Sequence, residues 1–275
     1  MTGTAEFWRV DAHVHLHGTP TAALVARLAG AAAGADGEAD AGSGARAPSG
    51  CRGVVWCLAD MPGVRTLATL GASAFEGALR KAGATSVDAR PEAMRVVSPD
   101  WTLHLIDGEQ RVGSEGLEVL VVGGKLGPDA PRTTEGIVDR ALERDLLPIL
   151  PWGVGKWLGA RGRAVSRLVA RDGYRGRIAL ADSGTRPALW PRPAQLDAAA
   201  ARGIAVLHGS DALRVANDQE RTGRFGAIVP AATGDGPLAD LRAHVRAAPA
   251  PVHFGRPIST WRFVRSQALL RLARP

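Results

Sequence analysis

Short apolar runs rich in Val, Ile and Leu recur at 7–16 (FWRVDAHVHL), 53–59 (GVVWCLA), 101–107 (WTLHLID), 117–123 (LEVLVVG), 146–151 (LLPILP), 177–182 (RIALAD) and 203–208 (GIAVLH). Each has the length of a buried strand. Between several of them the apolar positions change to helical spacing. PTAALVARLAG (20–30) has Pro20 at the first helical position, and TEGIVDRALERD (134–145) gathers Ile137, Val138, Ala141 and Leu142 on one face. PAQLDAAAARG (193–203) runs from a proline to a glycine, the usual punctuation of a helix. Strand, helix, strand in repetition predicts an α/β chain with a parallel sheet covered by helices. About seven or eight such strands in a chain of this length predict a TIM-like (β/α) barrel.

Three segments depart from that alternation. Residues 30–50 (GAAAGADGEADAGSGARAPSG) are low-complexity and too polar to pack, which predicts a flexible surface loop inside a single domain spanning 1–275. Residues 107–117 (DGEQRVGSEGL) are too few for a crossover helix, so strands 101–107 and 117–123 are expected to form an antiparallel hairpin. The last stretch, 259–275, spaces Trp261, Phe263, Val264, Ala268, Leu269 and Leu272 as a helix does. It is expected to close the barrel rather than to bind a membrane.

Composition changes this picture little. The chain has 275 residues, is 45% hydrophobic and carries a net charge of +7. Its 34 basic residues include only three lysines, Lys81, Lys125 and Lys156, leaving 31 arginines scattered along the chain. A clustered basic stripe with interleaved aromatics is lacking, which argues against a dedicated nucleic-acid surface. Cys51 and Cys57 have no second pair to complete a zinc knuckle and read as ordinary thiols. With no secretory leader in MTGTAEFWRVD and no uninterrupted apolar run of about 18 residues, a cytoplasmic protein without a membrane span is expected.

The chemistry concentrates in VDAHVHLHG, 10–18. Strand alternation puts Asp11, His13, His15 and His17 on one face, and two imidazoles at adjacent same-face positions can grip one divalent ion. His13 and His15 are the candidate pair. The alternative is a hydrogen-bonded, histidine-rich strand without an ion.

VDAHVHLHG resembles the first-strand D-x-H-x-H signature of the metal-dependent hydrolases, shared by the amidohydrolase superfamily and the PHP (polymerase and histidinol phosphatase) phosphoesterases. IAVLHGSDALR (204–214) is similar to the late strand and G-S-D turn that carries a metal-binding aspartate in those families, here Asp211. LIDGEQRVGSEGLEVLVVGG (105–124) is similar to the PHP segment in which a metal-binding glutamate precedes a hairpin. The likeness spans roughly 7–230 and implies a barrel, in the PHP case a distorted seven-stranded one. It also implies a divalent ion of Zn, Mn or Fe type and hydrolysis by metal-activated water. Departures bear on the ligand set. The glutamate position falls on Gln110 beside Glu109, the next histidine position falls on Glu118, and the strand at 146–151 leads into PWGVGKW with no imidazole.

His13, His15 and Asp211 remain as ligands, with Glu118 as a further candidate, enough for one ion. Asp211 has a second reading as a helix N-cap or Asx-turn residue. Glu118, on an apolar strand, must ligate, pair with an arginine or turn outward. His104 is either a packed core histidine or a neighbour of the site.

Three turns offer cations to an anion. PWGVGKWLGARGRAV (151–165) brings Lys156 to a helix start, although it lacks P-loop spacing. ADSGTRP (181–187) brings Arg186, and NDQERTGRFG (217–226) brings Arg221 and Arg224. The resulting expectation is a PHP-like hydrolase cleaving a small anionic phosphoester. Asp211 or Glu118 would take the proton from water, Lys156 would neutralise charge, and Arg186, Arg221 and Arg224 would hold the substrate. The rivals are an amidohydrolase acting on a C–N or C–O ester bond, and a catalytically lapsed barrel that binds an anionic ligand or a partner protein.

Overall fold

The computed structural model describes residues 5–16, 50–71, 73–212 and 219–272. His17, the helix expected at 20–30, and the loop at 30–50 apart from Gly50 lie outside the described residues. So do Asn217 and Asp218 of the late arginine-bearing turn.

Two sheets form where one barrel was expected. The first contains, in spatial order, β12 (His253–Phe254), β11 (Gly226–Pro230), β1 (Phe7–Val14), β2 (Cys51–Leu58), β5 (Thr102–Ile106), β4 (Ala93–Val97) and β3 (Ser86–Ala89). The second contains β10 (Ala205–Gly209), β9 (Ala179–Ser183), β8 (Leu147–Pro151), β7 (Glu118–Val122) and β6 (Gly108–Val112). Strands β1, β2 and β5 run parallel, as do β8, β9 and β10, which agrees with the βαβ reading locally. The other pairings are antiparallel, including β1 with β11 and β7 with both neighbours.

The TIM-like barrel and its seven-stranded variant are therefore corrected to a two-sheet α/β fold with no closed barrel. The sheets approach each other at two seams, neither of which carries a ladder between named strands. At one, Asp211 N–H donates to the His13 carbonyl at 3.0 Å. At the other, Asp60 N–H donates to Gly108 O at 3.2 Å and Gln110 N–H to Asp60 O at 2.8 Å, a single bridge.

The packing is layered. Apolar residues of β1, β2, β5 and β11 meet those of β7 to β10 in a dry layer between the sheets, among them Val10, Val55, Ile106, Ile149, Ala181 and Leu207. The outer face of the first sheet buries Trp56, Leu103 and Leu105 against α1 (Thr66–Leu70) and α2 (Ser73–Lys81). The outer face of the second is covered by α3 (Thr134–Glu143), α4 (Gly159–Val169) and α5 (Ala194–Ala201), with Ile137, Val165 and Leu196 turned inward. Thr133 caps α3 by accepting the Gly136 N–H, as a threonine at that position does. Helix α6 (Pro237–Ala247) adds Leu241 and Val245 to the layer between the sheets and is tied to β1, because Asp240 accepts the Trp8 indole N–H at 2.8 Å. Helix α7 (Thr260–Leu272) follows, with Trp261 exposed. No helix among the described residues is long and apolar enough to cross a membrane.

The hairpin expected between 101–107 and 117–123 has a different partner. Strand β7 pairs with β6, which lies inside the segment read as a connection, while β5 stays in the first sheet beside β2. The chain changes sheets between Asp107 and Gly108. A Cβ at Gly108 would run into the carbonyl oxygens of Leu58 and Val121, so only glycine permits the crossing.

Candidate metal centre

The site is built where β1, β6 and β10 end at the seams. Strand β1 does not keep its alternation to the end. Its pairing with β2 shifts register between Asp11 and Val14. Val10 and Ala12 consequently join the layer between the sheets, whereas Val14 and Leu16 join the outer layer. A β-bulge of this kind re-aims the side chains that follow it.

Asp11 is thereby separated from the histidines. It is fully buried and accepts three backbone N–H bonds, from Ser210 at 2.8 Å, Gly223 at 2.9 Å and His13 at 3.1 Å. Burial raises its carboxyl to about 6, against those hydrogen bonds. Its geometry is that of a pin fastening the two loops after β10 and before β11 to the first strand.

His13 and His15 turn together. Their Nε2 atoms are 3.0 Å apart, and Asp211 Oδ1 lies 3.7 Å from the first and 3.8 Å from the second. Asp211 reaches them from a left-handed backbone conformation with φ 45°. Aspartate tolerates that region, and its N–H bonds β1 at the same time. The other carboxylate oxygen lies 3.1 Å from Ser183 Oγ and 3.4 Å from Thr185 Oγ1, and the two hydroxyls are 2.6 Å apart, so one hydroxyl donates to the other and the second donates to the carboxylate.

These separations suit one divalent ion. Donors bound at about 2.0–2.2 Å stand roughly 3–3.5 Å from one another, so the two histidines are at that spacing and the carboxylate oxygen, at 3.7 and 3.8 Å, is a few tenths of an ångström wider. Four electron-rich atoms gather here: two imidazole nitrogens, a carboxylate oxygen and, 3.1 Å from His13 Nε2, Gln110 Oε1. Among the described residues, His13, His15 and Asp211 are the group of metal-ligating side chains that converges.

The remaining candidates divide. Glu118 is linked to this group at one remove: it accepts the Gln110 amide at 3.0 Å and the Lys156 ammonium. Arg186 is committed elsewhere, since Nε and Nη2 donate to the two oxygens of buried Asp182 at 2.9 Å each. Its Nη1 donates to Trp190 O at 2.8 Å. Arg221 Nη2 donates to Gly184 O at 2.8 Å, and Arg224 is exposed on the turn before β11. His104 packs edge-on against Trp8, and burial lowers it to about 4, so it is a core histidine. Cys51 and Cys57 are free thiols, and burial pushes that of Cys57 up. The sequence reading did not single out Ser183, Thr185 or Asp182. Their signal was present in ADSGT, where hydroxyls at i and i+2 follow a buried strand.

The fold is similar to that of a solved structure. PsfC from Pseudomonas syringae PB-5123 superimposes with a TM-score of 0.54 at 15% identity, covering 98% of this chain and 99% of that one. At this identity the likeness concerns the fold alone. The lesion-specific endonuclease PfuEndoQ from Pyrococcus furiosus gives a TM-score of 0.41 at 14% identity over 88% of this chain and 56% of that chain. No protein-family model matches the chain, and no curated protein matches its sequence.

Proposed function

We propose that the chain is a metal-dependent hydrolase that holds one Zn, Mn or Fe ion on His13, His15 and Asp211 and cleaves a small phosphoester. The observation that carries the reading is the convergence of two imidazoles from the end of β1 with a carboxylate from beyond β10, at donor–donor spacing. When bound, the ion supplies Lewis acidity and lowers the pKa of water. The chain supplies the rest. Ser183 and Thr185 fix the rotamer of Asp211, leaving Oδ1 turned to the histidines. Asp211 would take the proton from that water, and Arg221, which also bonds Gly184 O, and exposed Arg224 would meet an anionic substrate. Arg186 is assigned to holding Asp182.

A specific observation favours a second reading, a site that binds without turnover. Gln110 gives His13 Nε2 a neutral partner, so the polar network can also close without an ion.

Elemental analysis of the purified full-length chain tests the first step, with about one equivalent of metal expected in wild type and loss in His13→Ala and Asp211→Asn. A panel of phosphomonoesters, phosphodiesters, lactones and amides tests the second. Hydrolysis confined to lactones or amides would select an amidohydrolase, and a metal-loaded protein inert toward every class would select the binding module.

A further inference from the structure

Lys156, Glu118, Gln110 and His13 form an unbroken chain of contacts from the surface to the cluster. Lys156 is the outermost member, with its side chain 39% exposed, and the Glu118 side chain is 14% exposed. Gln110 is buried on β6 opposite Leu120, two residues along β7 from Glu118. A glutamine amide has a donor end and an acceptor end, and its surroundings decide which way it points. Glu118 Oε1 already takes the Lys156 ammonium and acts as an acceptor, so the Gln110 NH2 faces it. The carbonyl oxygen is thereby turned to His13, at 3.1 Å from Nε2. Lys156 only donates, and it bonds the same Glu118 oxygen that receives the Gln110 amide, so that oxygen is an acceptor in both contacts.

Resting on the metal-centre reading above, we propose that Gln110 is a fourth, neutral oxygen donor to the ion. Lys156 and Glu118 are then positioning residues that set the direction of its amide. The roles of Glu118 and Lys156 differ accordingly from those of a ligand and an anion handle. The Oε1 to Nε2 separation lies within the spacing of two donors on one ion. A carboxylate that bonds and orients the group touching the ion recurs in metal sites, and Glu118 stands in that relation to Gln110. A neutral amide leaves the four-donor set with the charge of one carboxylate, so the bound divalent ion keeps a net positive charge toward an incoming anion.

The test is Co(II) binding by full-length protein, read by calorimetry and by the visible absorption of the bound ion, which responds to ligand number and type. Gln110→Leu removes the oxygen, and Glu118→Leu keeps it while releasing its orientation. Both are expected to weaken Co(II) binding about 10–100-fold and to change the absorption bands. Gln110→Glu restores the oxygen with a charge and is expected to bind at least as tightly as wild type, whereas a merely structural glutamine would lose by that change, since the new carboxylate faces Glu118. Apo-protein circular dichroism and unfolding midpoints report whether each variant folds; should either leucine variant fail to fold, Lys156→Met carries the same expectation of weaker binding from an exposed position. Wild type that binds Co(II) while all variants match it in affinity and spectrum would overturn this inference and leave the metal centre standing. Wild type that binds no Co(II) would overturn both.

Discussion

Replacing Arg186 by alanine distinguishes an arginine that serves the fold from one that serves a substrate. In the structure its guanidinium makes two parallel bonds of 2.9 Å to Asp182 and a third of 2.8 Å to Trp190 O. The Asp182 side chain is 1% exposed and that of Arg186 13%. Truncation leaves the carboxylate in a dry site with the Ser183 N–H at 3.0 Å and Arg192 at 3.9 Å, neither able to replace a bidentate fork. Breaking one side of a buried ion pair costs about 3–5 kcal/mol, because the abandoned charge keeps its desolvation penalty. For a chain of this size that corresponds to a fall in Tm of roughly 6–20 °C. Urea unfolding followed by tryptophan fluorescence reads the change. Asp182→Asn removes the stranded charge, so Arg186→Ala/Asp182→Asn should lose about 2 kcal/mol less than the sum of the two single losses. A substrate arginine on the surface would cost within about 0.5 kcal/mol. A loss that small, or strict additivity in the cycle, would refute the assignment of Arg186 to Asp182. Because Ser183 follows Asp182 directly and bonds Asp211, metal affinity should decline with stability.

Two further perturbations probe how the site is seated. At Gly209 an added Cβ would stand 2.7 Å from both the Cβ and the N of His13, so Gly209→Ala should force β10 away from β1 at about 1–3 kcal/mol and weaken Zn or Co(II) binding. Unchanged thermal and metal titrations would show slack that this packing denies. His208 is buried edge-on to Phe225 and stacked on His253, and burial, with His253 and the nearby arginines, holds it at about 3, below the ordinary 6.5. Between those values the unfolded chain carries the extra proton, so stability rises with pH through this window and is lost as pH falls. From pH 6.5 to 5 the His208 share is about 2 kcal/mol. Urea titrations at the two pH values should show His208→Phe losing less by that amount, and equal slopes for variant and wild type would refute it.

Some of this molecule could be read from its letters because the deciding physics is local. Strands β1, β2, β5, β7, β8, β9 and β10 coincide with the seven apolar runs, and α3 and α5 with the two helical patterns at 134–145 and 193–203. In each, burial of one face or both imposes a period that short windows display. Strand β6 carries no such signature. Its residues GEQRV put Glu109 and Arg111 in an ion pair at 3.0 Å and Gln110 in the polar chain to the site, so it has no apolar stripe to find. Strands β3 and β4 and the hairpin of β11 with β12 are short, and β3 is largely exposed. The turn from barrel to paired sheets had no local signal at all. Which strand lies beside β1 is decided by the antiparallel return of β11, not by any periodicity within β1.

The convergence of His13, His15 and Asp211 was legible for a reason that also explains what was misjudged beside it. His13 and His15 are two residues apart where β1 ends, and their rings stay in contact although the register shift lies between Asp11 and Val14. Asp11 is also two residues from His13, but the register shift intervenes, and the same rule sends it wrongly into the cluster. Asp211 was recognised through the resemblance of its strand and G-S-D turn to those of the metal-dependent hydrolases rather than by periodicity, and the structure places it just after β10 with a left-handed backbone. The site thus depends on two local backbone irregularities, a bulge in β1 and a positive φ after β10. A chain closed into a regular barrel would have needed neither. Here, the convergence of donors at a seam between two sheets follows from the very departures that alternation could not foresee.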